Sequence, residues 1–194
     1  MPLHAPPAPA AALRSVLAAL GSRTAALRDG RARSDTYGEL RPELPLPVHV
    51  LSGITGPGEP PTTALTGWRF LLRGTEASVG TAEAMLTPDG WAFSHFAEGP
   101  YVRSTETALR RAEALPTPYQ PRLLSVPELY MLTLWLHADP GADPADGALA
   151  PADLLVPLAP APPGIAPNLP HRVDALLPLL THRLVPAPLL QTPA

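Results

Sequence analysis

Proline is distributed so unevenly along this chain that it partitions the sequence before any other residue type is considered. Of 29 prolines, four fall in residues 2–9, six in 42–61, four in 116–127 and nine in 140–170. Residues 62–115 contain only Pro88 and Pro100. A prolyl ring fixes φ and removes the backbone N–H, which excludes it from helix interiors and central strands. The 54-residue proline-poor window is therefore expected to hold the folding kernel, with turns at its two prolines.

Within that window the patterns are those of a β-meander. "GWRFLLRG", 67–74, places Trp68, Phe70 and Leu72 on one face and Arg69, Leu71 and Arg73 on the other. "ASVGTAEAMLT", 77–87, is joined by the turn "TPDG" to "WAFSHF", 91–96, as a hairpin. A helix follows near 104–115, with Ser104 as N-cap, Glu106 and Arg110 spaced for an ion pair, and Pro116 as its stop. Outside the window, Leu13, Val16, Leu17, Leu20 and Leu27 form the stripe of an N-terminal helix over roughly 8–28. "LPVHVLSGI" reads as a further strand and "TGPGEPP" as loop. Residues 126–137 are apolar almost throughout, compatible with a buried strand or a core helix. The reading here is strand, with "ADLLVPLAP" as its partner and Pro157 placing that partner at an edge. Val173, Leu176, Leu177, Leu180 and Leu184 mark a C-terminal helix, kinked at Pro178.

The expected fold is therefore α+β: an antiparallel sheet of about four to six strands, with its central meander over 67–96, packed by three helices. One domain is expected over 8–185, between a flexible proline-rich stretch at 1–7 and a flexible tail at 186–194.

Composition narrows the chemistry. All fourteen basic residues are arginine, a bias expected of a GC-rich bacterial genome, and cysteine is absent. Without lysine there is no Schiff base or P-loop cation, and without cysteine no thiolate nucleophile or iron–sulfur ligand. No cofactor is expected. Ser/His/Asp chemistry and paired carboxylates remain open. A net charge of −3 offers no general field for nucleic acid. The patch Arg23, Arg28, Arg31 and Arg33 is diluted by Asp29 and Asp35 and reads as a solvated connector. No membrane span or signal peptide is legible, so a cytoplasmic location is the expectation.

Few residues stand out as sites. His95 and Glu98 are a weak acid/base candidate at a strand end, but a histidine sharing a face with Trp91 and Phe93 reads first as packing. His137 and Asp139 are a weak metal-ligand pair lacking a third partner. Asp139, Asp143 and Asp146 read as an acidic loop rather than a calcium loop. Trp68, Trp91, Arg69 and Arg103 are weak candidates for a binding surface, where aromatic residues and arginine are enriched. With no convergent catalytic set and with proline-rich segments toward both ends, the expected function is non-catalytic protein binding or assembly. The partner would be another protein or a second copy. The alternative is a small pocket enzyme or ligand carrier using His95 and Glu98.

Overall fold

The structure, a computed structural model, describes residues 3–26, 40–52, 62–74 and 77–184. The proposed tail at 186–194, the basic connector after residue 26 and the loop "TGPGEPP" lie outside the described residues. At the other end, Leu3 bridges to Tyr119, and His4 N donates to Tyr119 O at 2.9 Å.

The class is α+β, but the sheet is larger than expected and mixed rather than antiparallel. Helix α1 (Ala10–Ala26) precedes strands β1 (Arg41–Ser52), β2 (Thr62–Arg73), β3 (Ser78–Thr87) and β4 (Gly90–Ala97). Helix α2 (Pro100–Ala112) leads to β5 (Gln120–Val126), β6 (Met131–His137), β7 (Leu154–Pro157), β8 (His171–Arg172) and α3 (Val173–Leu184). Among the described residues the strand order is β4-β3-β2-β1-β5-β6-β7-β8, eight strands in one sheet. Successive hairpins build the meander outward from one side of β1, and α2 then carries the chain back across the sheet to the other side. The strand that arrives there, β5, runs parallel to β1, as strands linked by crossovers rather than hairpins can. Every other pairing is antiparallel.

Prolines enter this sheet where a neighbour is missing. β1 pairs with β5 only at Val48–Val50, so Pro42, Pro45 and Pro47 lie in the half of β1 that has no partner on that side. Pro121 likewise precedes the paired part of β5, and Pro157 lies beyond the two-residue pairing of β7 with β8. Pro157 thus does not make β7 an edge strand. The edge is β8, which is too short to be legible in the sequence.

The two faces are covered differently. Ala108, Leu109 and Ala112 of α2 pack on Leu46, Val48, Leu71, Leu123 and Leu134. On the opposite face Ala12, Val16 and Leu20 of α1 cover Trp68, Phe70, Leu72, Ala82 and Ala84. There too Val173, Leu176 and Leu180 of α3 cover Leu51, Leu124, Met131, Trp135 and Leu155. The buried line of α1 is Ala12–Val16–Leu20, and Leu17 remains 48% exposed, since an alanine-rich helix carries no single strong stripe. Helix α2 starts one turn earlier than expected, with Gly99 as N-cap and Pro100 following. Gly99 has φ 116°, a conformation open to glycine, and proline suits a first helical position. Ser104 is not a cap: its hydroxyl donates to Asn168 Oδ1 at 2.9 Å and accepts from Ala159 N at 2.7 Å.

Candidate functional site

The residues singled out by sequence do not converge on one place. His95 is exposed on β4, opposite Glu83 of β3, with Nδ1 at 3.0 Å from Ser94 Oγ. Pairing skips Ser94, because Ala84 faces Phe93 and Glu83 faces His95. An extra residue of this kind flips the side chains that follow it. His95 therefore does not share a face with Trp91 and Phe93, which pack toward α1. Glu98 lines a cleft of about 960 Å³ beside the start of α2, together with Arg103, Ser78, Val79 and Asn168. His95 is not among the lining residues. Trp68 is 2% exposed beneath α1, and Arg69 is held by Glu83 at 2.7 Å.

His137 and Asp139 also part company. Asp139 Oδ1 accepts a hydrogen bond from Gly141 N at 2.9 Å and closes a turn. His137 instead places Nδ1 3.0 Å from Asp153 Oδ2. Among the described residues no group of three or more histidine or acidic side chains could hold a metal ion.

The sheet draws together a buried polar cluster that the sequence did not advertise. Gln120, Arg122, Trp135 and His137 lie on the α3 face of β5 and β6, with His49 of β1 beside them and Asp153 at the start of β7. Asp153 is fully buried and accepts from Trp135 Nε1 at 2.7 Å, His137 Nδ1 at 3.0 Å, and Ala138 N and Ala150 N at 2.9 Å. Arg122, also fully buried, donates to Gln120 Oε1 at 2.7 Å, to Asp143 O at 3.0 Å and to Asp146 O, and lies 4.7 Å over the Trp135 ring. Burial lowers its pKa, and the carboxylates of Asp146, Asp153, Asp143 and Asp139 oppose that. His49 Nε2 is 3.0 Å from Pro144 O, while its buried Nδ1 has no partner among the described residues. Burial pushes its pKa down to about 4, against the carbonyl contact, so the ring is neutral at pH 7.

These contacts tie the loop 139–151 to the sheet. Thr63 Oγ1 adds a bond to Gly147 O at 2.6 Å, and Gly147 is obligatory there because a Cβ would strike the Thr63 carbonyl. Two imidazoles and a carboxylate do converge, but the space among them is filled by the Trp135 indole and the Arg122 guanidinium. The arrangement holds the strap against the sheet.

The two ends of the sheet differ sharply. β8 has two residues, follows Pro170, and carries Arg172, whose side chain bonds Pro151 O at 3.2 Å. It is blunted in the ways that sheet edges are normally protected. β4, "GWAFSHFA", has eight residues, no proline and no formal charge, with Trp91, Phe93 and Phe96 half-buried. Among the described residues no strand lies on its outer side. Searches of family models, curated proteins and solved structures return no match.

Proposed function

We propose that the chain is a non-catalytic protein-binding or assembly module that docks partners along β4. The observation that carries this reading is the contrast between the edges: β8 is short, charged and preceded by proline, whereas β4 is long, uncharged and aromatic. A strand with no neighbour among the described residues on one side offers main-chain donors and acceptors there, and alternate side chains supply selectivity. The closed polar cluster supports the same reading, since its reactive groups are consumed in holding a loop. The test is capture of partners by the tagged full chain, beside capture by a Phe93→Pro variant that removes one N–H from β4. Identified partners lost with the variant support docking at this edge. Partners retained unchanged would place binding elsewhere.

A second reading, a ligand carrier, is favoured by the cleft that Glu98 and Arg103 both line beside α2. Its volume lies within the range of small-molecule sites. Titration with small organic acids, followed by amide shifts at Val79, Gly99 and Arg103, examines it. Unchanged spectra count against it.

A further inference from the structure

We propose that the middle of the strap, residues 143–146, is an acid-released latch whose trigger is His49. The strap lies on the sheet without pairing to it as a strand. Side chains hold it instead, mostly by capturing its carbonyls. Gln120 Nε2 donates to Pro140 O at 3.3 Å and to Ala142 O at 2.8 Å, and Thr63 Oγ1 donates to Gly147 O at 2.6 Å. Farther along, Ala150 N donates to Asp153 at 2.9 Å. Between the Gln120 and Thr63 anchors, Asp143 O and Asp146 O accept from Arg122, and Pro144 O accepts from His49. The central span is thus fastened to the sheet by two side chains, both fully buried.

That fastening is sensitive to a single proton. A carbonyl oxygen only accepts, so the Nε2 of His49 that faces Pro144 O carries the hydrogen and Nδ1 carries the lone pair. A second proton gives Nδ1 an N–H with no acceptor among the described residues, and sets a cation beside the buried Arg122 guanidinium. Among the charged groups around the ring, Arg122 of β5 and His137 of β6 oppose that charge, and Asp146 of the strap favours it. Its other neighbours are uncharged. Trp135 of β6 meets the ring edge-on at 5.1 Å, Leu65 of β2 and Leu124 of β5 flank it in the ladders, and α3 covers this face with Leu176 and Leu180. Lifting 143–146 lets water reach the imidazole and the guanidinium without disturbing strand register. The lifted form takes up the proton near the ordinary histidine value of 6.5, the closed form only at about 4. Between those values the lifted form holds more protons, so falling pH favours it.

Because the protein has no cysteine, Ala145→Cys, at an exposed position of the strap, carries the only nitroxide label on the full chain. Spin-label spectra are recorded from pH 7 to pH 4, with far-UV circular dichroism on the same samples. The label is expected to gain mobility several-fold and reversibly, while the dichroism and a label at Met85→Cys on β3 stay unchanged. The midpoint coincides with that of the His49 imidazole followed by nitrogen NMR in the same Ala145→Cys protein. His49→Gln keeps a donor for Pro144 O and cannot take the proton, so its strap label stays immobile over this range. An equal gain of mobility in His49→Gln overturns the trigger and assigns release to Asp139, Asp143 and Asp146, whose carboxylates close turns on Gly141, Ala145 and Ala148. Mobility gained only as the dichroism collapses overturns the latch, as does a strap that stays immobile once His49 is protonated. Should His49→Gln fail to fold, the two midpoints decide by themselves: separate midpoints overturn the proposal.

Discussion

His49 and Asp153 show at the scale of single residues how the interior treats charge. The unfolded chain takes up a proton on His49 near pH 6.5, and the folded chain only near 4. Between those values the unfolded state holds more protons, so stability falls as pH drops through that window. The loss reaches about 3 kcal/mol at 1.36 kcal/mol per pKa unit. Urea denaturation at pH 7, 5.5 and 4.5 is expected to reveal it, and a His49→Gln variant should show a flatter profile. Asp153 is the acceptor for four donors, so Asp153→Ala leaves an indole, an imidazole and two amides unsatisfied. A cost of roughly 3–5 kcal/mol is expected from groups of this kind, read from the shift in denaturation midpoint. Neither residue was legible as important. Neither was singled out, because their partners lie on other strands and in the loop 139–151.

At the scale of elements, local chemistry and long-range packing divide the work. The turn "TPDG", the meander strands and α3 were legible, since turn residues and apolar alternation act over a few positions. The continuous apolar run at 131–137 resolves as a strand because all seven of its residues are buried between two covered faces. Ser104 misled because a serine beside a helical pattern looks like a cap, while tertiary contacts from Asn168 and Ala159 had already claimed its hydroxyl. The strap 139–151 has no regular element and depends on Arg122 and on the small size of Gly147. Arg122→Met is expected to speed hydrogen exchange within 139–151 while leaving β2 and β3 protected. Gly147→Val should destabilise by about 1–3 kcal/mol through overpacking against β2; an unchanged melting midpoint would contradict the close approach at Thr63.

For the molecule as a whole, the decisive contact is the parallel pairing of β1 with β5, which joins Val48 to Leu123. Closing so long a loop precedes most of the sheet's reward, so folding is expected on the millisecond-to-second scale typical of non-local topologies. Stopped-flow refolding measures this, and a microsecond phase accounting for the full amplitude would argue against it. The proline-poor meander contains only antiparallel hairpin contacts and is expected to acquire protection first in pulsed hydrogen exchange. The same topology leaves β4 at one extreme of the sheet, so the proposed docking edge follows from where the crossover places the later strands.

The sequence by itself determined the α+β class, the meander and its turns, and the absence of lysine and cysteine chemistry, because each depends on residue identity or on spacings of a few positions. Tertiary structure alone decided that the sheet is mixed, with eight strands among the described residues, that Arg122, His49, His137 and Asp153 meet beneath a strap, and that β4 is the outermost described strand on its side. Those outcomes depend on which strands become neighbours after α2 crosses the sheet, and burial and register between distant segments leave no periodic mark on the chain.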